Sequence, residues 1–366
     1  MLITDDLKYW ISFTRIPGFG KVRLGLLKNK FGSLEHAWTA SKNDLLQTGL
    51  DKKIISNFLS LRDKILPDKE LEQLEKYNIE AITIESPQYP CMLKEIADCP
   101  AVLFVRGKLM PCDELSIAVV GTRRATTYGR QVTEELVRNL ALNKITIISG
   151  LAKGIDTTAH KTALEANGRT LAIFASGLDI VYPYENAKLA REIMEKGALI
   201  SEHPLGVKPK AEYFPQRNRI LSGMSRGVLI VESGETGGAL ITANFALEQD
   251  REVFAVPGSV YSPLSKGTNK LIQQGAKLVS DYMDILEELN LPVNNHQCEM
   301  ITLNNQDEIE SIIIKSIYYE PLHIDQICRN TELNIAVVQS HLTVLELKGL
   351  VKHIGNLNYM RCTSMK

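Results

Sequence analysis

Between residues 79 and 289 the chain alternates short β-branched runs with stretches of helical period, and this alternation restricts the fold more than any other feature. The runs are AVLFV (101–105), SIAVVG (116–121), TIISG (146–150), TLAIFAS (170–176), ALIS (198–201), GVLIVE (227–232) and EVFAVPG (252–258). Between them fall helix candidates at 128–143, 155–167, 186–197, 215–225, 238–249 and 267–274. A strand that is apolar along its whole length has no face to offer water, so helices must cover both sides of the sheet. The pattern therefore predicts a doubly wound, mostly parallel α/β domain.

Both flanks read differently. From residue 7 to about 77 the apolar positions recur at helical spacing, which predicts a helical domain over 1–78. Within it, Ile16-Pro17-Gly18-Phe19-Gly20 followed by Lys21 and Arg23 has two readings. One is a helix-hairpin-helix turn whose amides approach a phosphate; the other is a tight turn joining two packed helices. Residues 290–307 are polar, asparagine-rich and aperiodic, so they read as a linker. Beyond them, 308–366 gives three helix signals and a hairpin signal at Gly355-Asn356, the order of a winged helix.

The 366 residues, 44% of them hydrophobic, suffice for two or three domains with substantial cores. A formal net charge of -1 excludes a globally basic field, so any nucleic-acid site must be a local patch. The six cysteines (Cys91, Cys99, Cys112, Cys298, Cys328, Cys362) contain no CxxC pair, which speaks against a zinc site or a disulfide framework. MLITDDLKYW at the N-terminus is acidic where a signal peptide is basic, and no apolar run reaches the length of a membrane span. A soluble, cytoplasmic protein without membrane contact is expected.

In a parallel sheet, ligands sit beyond the carboxyl ends of the strands. Five polar or glycine-rich turns fall there. VVGTRRATTYGR (119–130) places Gly121 at a strand end and Arg123 and Arg124 in the turn before a helix. Its spacing is not GxGxxG, so no dinucleotide cofactor is expected. SGLAKGIDTTAHKTAL (149–164) brings Gly150 and Lys153, then Asp156 and His160 one helical turn apart, a pair that suits capping or packing better than general-base work. LDIVYPYEN (178–186) supplies Tyr182 and Tyr184, either to stack on bases or to wall a cleft. HPLGVKPKAEYFPQRNRILSGMS (203–225) interleaves Lys208, Lys210, Arg217 and Arg219 with Tyr213 and Phe214, beside Asn218. Cations for a phosphate backbone and flat faces for unstacked bases are what a single-stranded nucleic acid needs, although a solvated loop over a buried Phe214 satisfies the same residues. Finally, LIVESGETGGALITA (229–243) holds Gly234, Gly237 and Gly238 at a helix start, where backbone amides can nest a phosphate without any lysine. Glu232 and Glu235 in that turn either bias what binds or hold arginines such as Arg217 in place. Lys266, Gly267 and Asn269 come to the same edge from the next segment.

The ordered series VVGTRRATTYG, ISGLAKGIDTTAHKTAL, GLDIVYPYEN, SEHPLG, FPQRNRILSGMS, VESGETGGALITANFALEQDREVFAVPG and SKGTNKLIQQGA resembles the DprA/Smf family of DNA-processing proteins over about 85–285. The resemblance implies an extended Rossmann-like core that binds single-stranded DNA, forms a homodimer and loads the RecA recombinase onto incoming strands during natural transformation. Carried over by motif, the groove would use Arg123, Arg124, Lys153, the 208–214 loop, Arg217, Asn218 and Arg219. The second arginine of GTRRA and the turn GETGGALITA depart from the family's common pattern.

Two rivals stand beside this reading. One is a nucleotide-binding protein or N-glycosidic nucleotide hydrolase of a related fold; that activity needs a catalytic glutamate after the glycine turn, where this chain reads Ala-Leu-Ile-Thr-Ala (239–243). The other is a duplex binder acting through the C-terminal domain, whose recognition helix offers Gln339, Ser340, His341 and Lys348 but no arginine. The residues favour a non-enzymatic, cofactor-free protein that binds single-stranded DNA, and the resemblance implies that it acts as a recombination mediator.

Overall fold

All seven apolar runs become strands of one nine-stranded sheet, joined by two strands that the sequence pattern does not signal. In the computed structural model, which describes residues 4–291, 308–317, 321–348, 350–355 and 357–361, the strands are β1 (Glu80–Thr83), β2 (Val102–Gly107), β3 (Ser116–Val120), β4 (Thr146–Ser149), β5 (Thr170–Ile173), β6 (Ala198–Ser201), β7 (Gly227–Ile230), β8 (Glu252–Ala255) and β9 (Lys277–Leu278). Their order is β1-β2-β6-β5-β4-β3-β7-β8-β9. From β6 to β9 every pairing is parallel, whereas β2 runs antiparallel to both β1 and β6. Between β1 and β2 lies only the five-residue helix Cys91–Glu95, not the full crossover helix a parallel pairing uses.

Alternation along β3 shows how the layers form. Ile117 and Val119 face one side, against Leu136, Val137 and Leu140 of the helix Thr127–Leu142 and Ala159 and Ala163 of Ile155–Glu165. Ala118 and Val120 face the other, against Ile220 and Leu221 of Tyr213–Gly223 and Ala239, Ala243 and Ala246 of Gly238–Glu248. Successive residues of a strand point to opposite faces, so an unbroken apolar strand serves both layers. Each fully buried aliphatic side chain contributes about 1.5–3 kcal/mol.

The N-terminal helices do not stand apart. Phe13 packs with Phe19, Trp38 and Phe58 at ring-centroid distances of 5.0, 5.0 and 5.3 Å, and the same apolar cluster continues through Phe104 of β2, Phe174 just after β5 and Leu189 of the helix Ala187–Lys196. Arg15 adds a polar tie, donating to Glu70 and, through Nη1, to the carbonyl of Leu205 at 2.6 Å. The helical segment and the sheet thus form one compact unit. In the 16–20 turn Gly18 has φ +99°, Phe19 is buried, and the Arg23 guanidinium donates back to the Gly18 carbonyl. That cation therefore closes the turn it follows.

The second unit holds the helices Glu308–Ser316, Ile324–Thr331 and Ile335–Leu347 and a small antiparallel sheet. Its strands, β10 (Leu322–His323), β11 (Val351–His353) and β12 (Asn358–Arg361), lie in the order β10-β12-β11. Ile313, Ile317, Ile327, Val338, Leu342 and Leu345 form its core, and the whole is a winged helix. Gly355 occupies the wing turn with φ +97°; Asn356 and residues 292–307 of the expected linker lie outside the described residues.

Candidate nucleic-acid interface

From β3 the chain winds toward β6 on one side, and from β7 toward β9 on the other. The helix after β3 therefore covers one face and the helix after β7 the opposite face, and their first turns diverge. This is a topological switch point, where open α/β sheets leave a crevice. A cleft of about 630 Å³ opens there, lined by Gly121 and Arg123 after β3 and by Gly234, Gly237 and Gly238 after β7. Lys210, Phe214, Arg217 and Asn218 close it from the 208–218 segment.

Arg123 is an exposed cation of the cleft. Its guanidinium carbon stands 5.1 Å from the Phe214 ring centroid, and Phe214 meets Tyr182 edge-to-face at 5.7 Å. A guanidinium over a ring keeps its N–H fork available for a phosphate while the ring fixes its plane. Lys210 extends the same wall, its ammonium 5.3 Å from the Tyr213 ring and 3.9 Å from Glu212.

The opposite wall is backbone. Gly237 caps the helix Gly238–Glu248, whose first amides have no intrahelical partner. A Cβ on Gly238 would meet nothing within 4 Å, so the space in front of these amides belongs to the cleft. The turn is braced from behind: Ser233 N donates to Leu264 O at 2.8 Å, and Gly267 N to Ser233 O at 3.0 Å. Asn269 exchanges two hydrogen bonds with the Gly258 backbone, at 3.1 and 2.9 Å. The helix opened by Lys266 thus supports the turn through Gly267, Asn269 holds the Gly258 loop, and neither Lys266 nor Asn269 lines the cleft.

The floor is a buried ionic cluster. Arg217, 4% exposed, donates to the carbonyls of Gly150 (2.8 Å) and Ile173. Asp156 beside it accepts from the amides of Gly150 (3.1 Å) and Ala152 (3.3 Å). Burial lowers the Arg217 pKa to about 10, with Asp156 opposing and Arg123 adding to the shift, so it remains a cation at neutral pH. A Cβ on Gly150 would strike the guanidinium, which is why the backbone there can come so close. His160 hydrogen-bonds Thr170 Oγ1 at 2.7 Å, not Asp156; burial first and Arg217 second hold it uncharged, with a pKa of about 3. The Asp156/His160 pair is packing and capping.

The sequence left two roles open for Glu232, and the structure shows a third. Glu232, 2% exposed, accepts from Thr126 N (2.9 Å) and Thr126 Oγ1 (2.5 Å), while its own carbonyl accepts from Thr122 N (2.8 Å). It latches the arginine turn to the end of β7 and, among the described residues, forms no ion pair with an arginine. Thr126 in turn caps the helix Thr127–Leu142 through Gly129 N at 3.0 Å. The latch escaped the sequence reading, although a threonine one residue before a helix is itself a cap signal.

Other candidates are placed elsewhere. Arg219 binds Glu202 (2.6 Å) and Asp98 (3.0 Å) on the far side of its helix. Lys153 pairs with Glu185 at 2.6 Å in a neighbouring groove, and Gly150 lies behind Arg217. Arg124 and Lys208 do not line the cleft. Among the described residues no cluster of His, Cys, Asp or Glu could hold a metal, and no helix is long and apolar enough to cross a membrane.

A family model described as DNA recombination-mediator protein A matches residues 80–290, and one for the DprA winged helix domain matches 302–355. The chain belongs to the DprA/Smf family. It is 47% identical to the DNA processing protein DprA of Bacillus subtilis over 60% of this chain and 74% of that protein. It is 33% identical to the protein Smf of Synechocystis over 98% of this chain and all of that one. The X-ray structure of DprA from Streptococcus pneumoniae superposes with a TM-score of 0.67 at 35% identity, covering 77% of this chain and 97% of the other. DprA of Helicobacter pylori, solved for its single-stranded DNA binding mode, gives a TM-score of 0.52 at 30% identity over 58% of this chain and 96% of its own.

Proposed function

We propose that this chain binds single-stranded DNA without chemistry of its own, protecting incoming strands and, as a homodimer, loading RecA onto them in natural transformation. The observation that carries the binding step is the switch-point cleft, where an aromatic-backed Arg123 faces an unobstructed row of helix-start amides. Phosphates would take Arg123, Lys210 and the amides of Gly238 and Ala239, and bases would stack on Phe214 and Tyr182. Sequence preference is slight, since backbone and stacking contacts carry little base information. The hydrolase alternative finds little support: Asp156 is the carboxylate lining the cleft, and it is spent on two amides and the field of Arg217.

Fluorescence anisotropy of a labelled single strand against its duplex, titrated with salt, tests the reading. Wild type is expected to prefer the single strand, and Arg123→Ala to weaken binding roughly tenfold, through removal of one charge-assisted hydrogen bond to a phosphate. Duplex preference, or affinity indifferent to salt, refutes it. RecA loading is checked separately, by filament assembly on strands already coated with single-strand binding protein.

A further inference from the structure

Beside the cleft, the helices Thr127–Leu142 and Ile155–Glu165 leave a second groove of about 470 Å³. Arg123 lines both, so the two hollows share one residue. The 152–154 segment borders both: Ala152 lines the cleft, while Lys153 and Gly154 line the groove. Gly154, with φ +80°, lies so close to the Thr122 carbonyl and the Arg123 backbone that no Cβ fits, which fixes the wall between them.

The lining of the groove differs in kind from that of the cleft. It carries Arg123, Arg130, Lys153 and Lys161 against Glu134 and Glu165, and it holds no aromatic side chain. Glu165 is drawn toward Arg138 at 3.8 Å. Arg130 and Lys161 are exposed; Arg130 donates to the Ala125 carbonyl, and no carboxylate neutralises either one among the described residues. Lys153 is held by Glu185, but both side chains are more than half exposed, and a surface pair of that kind yields easily to a stronger anion. Cations without flat faces suit a polyanionic backbone and offer nothing to bases.

We infer that this groove is a second phosphate-binding segment, in which Arg130 and Lys161 take the backbone of nucleotides leaving the cleft over Arg123. The inference rests on the single-strand reading of the cleft and extends it: the cleft holds bases and phosphates, the groove phosphates alone. Affinity should then grow with strand length beyond what the cleft spans, and that growth should be purely electrostatic.

The test compares the full chain with Lys161→Glu and Arg130→Gln on two oligothymidylates, one of about five nucleotides and one of about twenty, bracketing a typical single-strand site. Expected is unchanged binding of the short strand in both variants, with weaker binding of the long one. The slope of log affinity against log salt should become shallower by about 0.7 for each phosphate that is no longer neutralised. Lys161→Arg should restore the wild-type slope, which separates charge from shape. Long-strand affinity and slope equal to wild type, with the short strand still bound, overturn the groove and leave the cleft standing. No binding of either strand by wild type overturns both.

Discussion

Arg217 and Arg219 stand two positions apart in the middle of one helix, Tyr213–Gly223, and the sequence offers them as a pair. Side chains two apart on a helix point to nearly opposite faces, so only one of any such pair can face a given wall. Arg217 turns down beneath the cleft toward Gly150 and Asp156, and Arg219 turns out to Glu202 and Asp98. Residue type was legible here, and residue direction was not, because direction depends on which face of the helix the sheet claims. The consequence for Arg217 is structural. Arg217→Ala strands the buried Asp156 and should cost about 3–5 kcal/mol in urea unfolding, while Arg217→Lys should recover part of that stability. A cost near zero would show that Asp156 needs no partner.

Among the elements, the helix Ile155–Glu165 joins the cleft floor to the interior through His160. Burial and Arg217 hold His160 near pKa 3, against about 6.5 in an unfolded chain. Between those values the unfolded chain binds the extra proton, so stability is full above pH 6.5 and declines as pH falls. By pH 5 the decline amounts to about 2 kcal/mol. Urea midpoints measured from pH 7.5 to 5 should therefore fall in wild type and fall less steeply in His160→Gln; parallel curves would exclude His160 as the cause. Element positions were largely readable because each apolar run and each helical stretch carries its own period. β1 and β9 were not, since β1 begins with an exposed glutamate and β9 has only two residues. The switch point follows from strand order, which no local period encodes.

For the whole molecule, a net charge of -1 means that binding must come from a few cations gathered at one sheet edge. With three or four phosphates neutralised, the log–log salt slope for a single strand should lie at about -2 to -3. A slope near -7 would require a far larger basic surface than this fold displays. The division into a helical segment, a sheet domain and a winged helix was visible from composition and period. That the first two share one core was not, because each segment looks self-sufficient in its own pattern.

The antiparallel place of β2 sets a timetable for synthesis. β2 ends at Gly107, yet its sheet neighbour β6 begins only at Ala198. At about 5–20 residues per second, the ribosome needs roughly 5–20 s to supply the missing strand. Throughout that interval the early helices and the antiparallel β1–β2 pair wait beside an open edge. Val102, Leu103, Phe104 and Val105, almost fully buried in the finished protein, are then the segment most in need of a chaperone.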